Sequence, residues 1–286
     1  MTARILNGRD VAATVRADVA ERVARLREQG QIAGLATVLV GDDAASATYV
    51  RTKHRAAEAV GMPSFDHHLP ATATQHDVEA LIDDLNHDDA VAGMIVQLPL
   101  PDDLDAERAV ERVDPTKDAD GLHPFNLGLL LLGRPGPVPA TAGGIMRILE
   151  YYDIDVASKT AVIVGRSFLV GRPMALLLGA KGVDATVVQA HSRTPNLVEI
   201  CRQADLLVAA VGRPNLIGPE HVRPGATVVD VGINRTNVGL VGDVDFDSVA
   251  EFAGAITPVP GGVGPMTVAS LLANTVTLAE RRREMA

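Results

Sequence analysis

Apolar residues first recur at helical spacing at Val11, Val15, Val19, Val23 and Leu26, and Gly30 follows as a stop signal. The run 36–40 ends at Gly41 and reads as a short buried strand. Ser46 is expected to cap a helix that runs to about residue 60 and closes at Gly61. The run 65–69 reads as a strand. Val78, Leu81, Ile82 and Leu85 mark a further helix, and 91–98 is a strand ended by Pro99 and Pro101. Strand alternating with helix implies parallel strands with helices on both faces.

A Pro/Gly-rich stretch, 133–139, interrupts this pattern and is the expected domain boundary. A strand at 160–164 follows and ends at Gly165. Short apolar runs recur at 185–188, 206–209, 227–231 and 255–256, with helical segments around 173–178 and 197–203. This half also reads as a doubly wound parallel unit. After the Gly-rich stretch 260–265, residues 267–283 look helical and are placed to pack back on the first domain. The expected fold class is therefore α/β, with two doubly wound parallel-sheet domains. The first is 1–138 together with 267–286. The second, 139–266, is expected to be a Rossmann-type nucleotide-binding domain.

Length and composition fit this division. The chain has 286 residues, 47% of them hydrophobic and 22% charged, as in globular proteins. The apolar run 127–132 is too short for a span of about 20 residues, so no membrane association is expected. The N-terminus turns polar at once and does not read as a signal peptide. One cysteine, Cys201, excludes an internal disulfide and a multi-cysteine zinc site, and favours a cytoplasmic setting. The net charge of −10 argues against nucleic acid as a partner. A basic run, Arg281-Arg282-Arg283, reads as the solvated last turn of a helix.

The segment Gly165-Arg166-Ser167-Phe168-Leu169-Val170-Gly171-Arg172-Pro173 follows a strand and opens a helix. Such a turn lets backbone approach a pyrophosphate at a helix N-terminus. A tight turn alone would also need its glycines. The second strand of this half runs into Gln189-Ala190-His191-Ser192-Arg193-Thr194, without the carboxylate that would bind a ribose 2′-hydroxyl. Arg166, Ser192 and Arg193 can instead hold a 2′-phosphate, which points to NADP. The alternative is that these arginines are simply solvated.

In the first half, Tyr49 and Lys53 share a helix face at i, i+4. Gln97 stands at the carboxyl end of a strand, where open α/β sheets bind ligands. Asp120 lies in Lys117-Asp118-Ala119-Asp120-Gly121, a loop expected beside the same crevice. Together they would form a polar site, although a Tyr/Lys pair also suits a solvated helix face. His67-His68 carries no metal-ligand pattern, and no metal is expected. His123 and His191 lie beside motifs. No nucleophile elbow, P-loop lysine motif or H-E-x-x-H occurs.

Several segments, taken in order, resemble the bifunctional methylenetetrahydrofolate dehydrogenase/methenyltetrahydrofolate cyclohydrolase family. They are Val40 through Tyr49 to Lys53; Val96-Gln97-Leu98-Pro99; Pro115 through Asp120 to Asn126; Gly165 to Pro173; Val229-Asp230-Val231-Gly232-Ile233-Asn234; and Pro258 to Thr267. They span most of the chain between about 40 and 275. One departure is Pro139-Ala140-Thr141-Ala142, where the family usually has Pro-Cys-Thr-Pro. It touches none of the residues given chemical roles and bears more on cofactor affinity than on reaction type.

The resemblance implies NADP-dependent oxidation of 5,10-methylenetetrahydrofolate, then hydrolysis of the methenyl product to 10-formyltetrahydrofolate. It implies catalytic roles for Lys53, Gln97, Tyr49 and Asp120. Gly165, Arg166, Ser167, Ser192, Arg193 and Ile233 would hold NADP. Val96, Leu98, Pro260, Gly261, Gly262, Val263, Gly264 and Pro265 would join Tyr49, Lys53, Gln97 and Asp120 around a tetrahydrofolate derivative. A homodimer is implied as well. Two other readings compete: a shikimate-dehydrogenase-like NADP oxidoreductase, and a catalytically silent dinucleotide-binding module.

Overall fold

The computed structural model describes residues 2–237 and 239–285, without the side chains of 283–285. The chain divides into two compact units, residues 1–12 with 141–267 and residues 13–140 with 268–286.

In the unit of 13–140, a three-stranded parallel sheet has the order Ser64–Leu69, Gly34–Val40, Val91–Val96. The central and last strands are buried at every position, as expected of parallel strands covered on both faces. Helix Gln75–His87 lays Val78, Ile82 and Leu85 into the core with Val38 and Met94. Its start is fixed by a capping box between Thr74 and Asp77. Helix Ala44–Ala59 is capped by Asp43, whose carboxylate accepts from the Ser46 amide at 2.7 Å. The expected cap Ser46 is thus a donor inside the first turn, because Asp43 stands three residues ahead of it and supplies the acceptor.

The strand expected at 91–98 ends at Val96, which leaves Gln97 at its carboxyl end. Helices Ala106–Arg112 and Pro124–Leu131 were not expected. The apolar run 127–132 largely lies in the second of these. The C-terminal segment from Val268 groups with this unit. There the Asn274 amide donates to the carbonyls of Ala119 and Val138 at 2.9 and 2.8 Å, tying down both sides of the Asp120 loop. Arg282 donates to the Asp89 carbonyl at 2.7 Å, whereas the Arg283 side chain lies outside the described residues.

The other unit holds a six-stranded sheet in the order Arg4–Ile5, Ala255–Ile256, Thr227–Asp230, Leu206–Ala209, Thr160–Val164, Thr186–Ala190, all parallel. Helices Gly171–Leu178, Leu197–Cys201 and Ala140–Tyr151 accompany these strands in sequence. The strand Arg4–Ile5 pairs with Ala255–Ile256. That pairing corrects the expectation that the N-terminus belongs with the first half. Two exposed residues give no strand signal by themselves. A second unexpected feature is the antiparallel ribbon of Asn234–Thr236 with Gly239–Val241.

The boundary after Thr267 falls within helix Val263–Met285, whose first turn lies in the stretch read as a Gly-rich loop. Ala142 is fully buried, so the departure from the family's Pro-Cys-Thr-Pro occupies a packed position. Among the described residues, no helix is long and apolar enough to cross a membrane.

Candidate active site

Lys53 is only 5% exposed, although lysine is usually solvated. Helix Ala44–Ala59 presents it inward, and its ammonium nitrogen lies 3.1 Å from Gln97 Oε1. Gln97 is anchored twice. Its backbone N–H donates to the Val38 carbonyl at 2.8 Å, continuing the sheet, and its Nε2 donates to the Leu98 carbonyl at 2.6 Å. With Nε2 so engaged, Oε1 faces the lysine. Lys53 Nζ also sits 5.6 Å from the centroid of the Tyr49 ring, as the i, i+4 spacing implied.

Burial pushes the Lys53 amine below its usual range, and the charge of Asp120 opposes this. Burial also raises Asp120, against the pull of Lys53 and with a smaller push from Asp118. Tyr49 is raised by burial and then by Asp120. These are mutually coupled groups in one environment. The combination places an amine with a lowered proton affinity beside an amide oxygen, the kind of perturbed grouping found at functional sites.

The Asp120 loop is shaped by a residue that sequence reasoning passed over. Asp118 is buried and accepts from the amides of Gly121 and His123 and from Asn126 Nδ2, at 3.0, 2.8 and 2.8 Å. His123 caps helix Pro124–Leu131 through Nδ1, which accepts from Phe125 N at 3.0 Å. His191 accepts from Arg193 N at 3.2 Å. Both histidines are thus engaged in local turns. His67 and His68 lie within strand Ser64–Leu69. Among the described residues, no cluster of His, Cys, Asp or Glu could hold a metal ion.

The candidate nucleotide site lies in the unit of 141–267. Strand Thr160–Val164 leads into 165–170, and helix Gly171–Leu178 starts without a side-chain cap. Pro173 has no N–H and Arg172 N donates to the Ser167 carbonyl at 3.0 Å, so it is the positive end of the helix dipole that suits an anion there. A Cβ at Gly171 would lie 2.4 Å from the Gly165 carbonyl oxygen, so the loop closes this tightly only on glycine. The neighbouring strand Thr186–Ala190 is joined by Gly165 N to Ala190 O at 2.9 Å, and Gln189 Nε2 donates to the Gly165 carbonyl at 3.1 Å. These bonds bring the loops bearing Arg166 and Ser167, and Ser192 and Arg193, side by side with those four side chains exposed. The donor set fits a dinucleotide with a 2′-phosphate.

Ile233, 49% exposed, lies after strand Thr227–Asp230. With Arg9, Leu240 and the backbone from Pro258 to Pro265 it lines a cavity of about 150 Å³. Pro260, Gly261, Gly262, Val263, Gly264 and Pro265 thus belong to the same unit as the nucleotide loop. Val96 and Leu98 flank Gln97 in the other unit. Arg9, Asp230 and Asp243 were not foreseen.

Comparison with known proteins extends these observations. Residues 6–120 match the model of the tetrahydrofolate dehydrogenase/cyclohydrolase catalytic domain, and 139–283 that of the corresponding NAD(P)-binding domain. The bifunctional protein FolD of Nitratidesulfovibrio vulgaris is 52% identical over 275 residues, 95% of this chain and 96% of that one. The crystal structure of the FolD dehydrogenase/cyclohydrolase from Campylobacter jejuni superposes with a TM-score of 0.95 at 46% identity, covering 98% of this chain and 99% of that one. The Trypanosoma brucei enzyme, complexed with NADP and an inhibitor, gives 0.93 at 40%, with 99% of each chain covered. A shikimate dehydrogenase from Thermus thermophilus, covering 86% of this chain and 99% of its own, gives 0.52 at 17%, a likeness of fold alone.

Proposed function

The chain belongs to the tetrahydrofolate dehydrogenase/cyclohydrolase family, and on that premise we propose that it carries both activities. It oxidises 5,10-methylenetetrahydrofolate to 5,10-methenyltetrahydrofolate with NADP, and hydrolyses the product to 10-formyltetrahydrofolate. The observation that carries this reading is the buried amine of Lys53 held against Gln97 Oε1.

NADP, when bound, accepts the hydride from the bridging methylene. The carbon left behind is cationic, so an ammonium close to it would oppose its formation. Burial pushes the Lys53 amine below its usual range, which lessens that penalty. In the hydrolytic step the same amine is a base. A water oxygen bonds to the bridging carbon and Lys53 takes its proton. The bond from that carbon to N5 then breaks, the remaining hydroxyl proton passes to N5, and the formyl group stays on N10.

Gln97 orients both the amine and the water. Tyr49 stacks on the folate or hydrogen-bonds to it. Asp120 meets the donor edge of the pterin. Backbone from Pro260 to Pro265 serves the substrate as well. Gly165 and Ser167 receive the cofactor phosphates, with Arg166, Ser192 and Arg193 on the 2′-phosphate and Ile233 farther along the dinucleotide. A homodimer in a reducing cytoplasm completes the reading, and the buried, unpaired Cys201 is in keeping with that compartment.

The test mixes purified protein with 5,10-methylenetetrahydrofolate and NADP or NAD, following methenyl absorbance beside reduced cofactor. NADPH formed without lasting methenyl is expected. Methenyl rising in step with NADPH would leave only a dehydrogenase. No reduction by folded protein would restore the silent-module reading.

A further inference from the structure

Two buried carboxylates have no part in the chemistry above. Asp243 is fully buried. Its Oδ2 accepts from the amides of Val211 and Gly212 at 2.7 and 2.9 Å, and its Oδ1 from Arg213 N and Asn234 Nδ2 at 2.8 and 2.9 Å. Asp230, 3% exposed, accepts through Oδ1 from Gly232 N and Asp243 N, both at 2.9 Å, and through Oδ2 from Val244 N at 3.0 Å.

The two are interlocked. A Cβ at Gly242 would fall 1.7 Å from Asp230 Oδ2, and one at Gly232 would fall 2.3 Å from Asp243 Oδ1. Each carboxylate therefore occupies the space that a side chain on the other's neighbour would need. Asp243 touches no solvent, so it acts on a ligand only through what it holds.

Asp243 holds the backbone of 211–213 and the Asn234 side chain, while Asp230 holds the Gly232 amide, all at the carboxyl ends of two adjacent strands. The loop 211–213 follows Leu206–Ala209, and 232–234 follows Thr227–Asp230. In the sheet order these strands lie on one side of Thr160–Val164, whose loop receives the pyrophosphate, and Thr186–Ala190 lies on the other. With the 2′-phosphate half on the Thr186–Ala190 side, the nicotinamide half must extend across the Asp243-bound loops.

We propose that Asp243, seated by Asp230, is a positioning residue that sets 211–213 and 232–234 for the nicotinamide half of the dinucleotide. The inference rests on the nucleotide site proposed above. Its loss weakens dinucleotide binding and leaves the cofactor-independent hydrolysis of methenyltetrahydrofolate in place.

In Asp243→Asn, one oxygen becomes an NH2 group facing two N–H donors, while size is preserved. The expected result is a rise of about tenfold or more in the KM for NADP, because two buried donors lose their acceptor and meet an NH2 group instead. The same rise is expected in the Kd for NADPH measured by fluorescence. Cyclohydrolase kcat/KM should stay within about twofold of wild type, which a general loss of structure would not allow. Asn234→Ala removes one of the four donors and should raise the KM for NADP a few-fold. It decides the matter if Asp243→Asn does not fold. A folded variant with unchanged NADPH affinity overturns the proposal. So does a cyclohydrolase loss in Asn234→Ala that parallels the loss of affinity. A wild-type protein that binds NADPH but lacks both activities would count against the proposed function and leave this inference standing.

Discussion

Lys53→Met replaces a buried amine with a thioether of similar reach, and it separates the two activities. Burial already pushes the amine below its usual range, so the substitution gives up less charge pairing than it would at a solvated lysine. The local cost is the donor lost by Gln97 Oε1, about 1–3 kcal/mol for an unsatisfied buried group. That is affordable against a total stability of about 5–15 kcal/mol, so the variant should fold. Hydrolysis loses its base, and general-base catalysis is typically worth about 10²–10⁴-fold, or about 3–5 kcal/mol of barrier. Hydride transfer needs no proton to move and should stay within about tenfold, the effect of one lost positioning contact. The assay supplies methenyltetrahydrofolate without cofactor and follows its absorbance. It then supplies the methylene form with NADP, where methenyl should accumulate in step with NADPH. Equal loss of both activities in a folded variant refutes the division of labour, as does hydrolysis that survives within about tenfold.

Other outcomes follow from the same structure. Arg166→Ala should weaken NADP by about ten- to a hundredfold and NAD far less, since a charge-assisted hydrogen bond is worth about 1.5–3 kcal/mol; an unchanged preference in paired titrations removes Arg166 from the 2′-phosphate. Burial pushes the Cys201 thiol up to about 12, so a disulfide reagent at pH 8 should label it only on unfolding, and rapid labelling of folded protein would contradict its burial. Burial raises Asp230 to about 6, against the pull of three backbone amides. The folded state therefore holds that proton where the unfolded chain has released it. The contribution to stability is present below about pH 4 and is lost as pH rises through 6. Denaturant titrations of wild type against Asp230→Asn should show a relative fall over that interval, and parallel pH curves would refute it.

The grouping of Tyr49, Lys53 and Gln97 was legible because its signals are local. Tyr49 and Lys53 share a helical face by spacing, and Gln97 follows an apolar strand that ends at prolines. The glycine turn between strand Thr160–Val164 and helix Gly171–Leu178 was legible for the same reason. Parallel strands buried on both faces give short continuous apolar runs, and the sheets emerged from those. Helix Ala140–Tyr151 did not, because Gly143 and Gly144 interrupt its pattern and it begins directly after a Pro/Gly-rich stretch. Strand Arg4–Ile5 draws its order from pairing with residues some 250 positions away.

Asp118, Asp230 and Asp243 were illegible for a deeper reason. An Asp looks solvated in any local window. Its burial depends on backbone donors that only the fold assembles, such as Val211, Gly212 and Arg213 around Asp243. Ser46 misled in the opposite way, since a good capping residue was present but Asp43 was better placed.

The central claim is that Lys53 works as a neutral amine. The most direct measurement is the pH dependence of cyclohydrolase kcat/KM on supplied methenyltetrahydrofolate, corrected for the uncatalysed reaction. A lowered amine should give a rate that rises with pH and reaches its plateau below 10.5, the ordinary lysine value, with the rise absent in Lys53→Met. A wild-type rate still climbing tenfold per pH unit through 9 and 10 would mean that the amine is protonated under working conditions, and the account would fail.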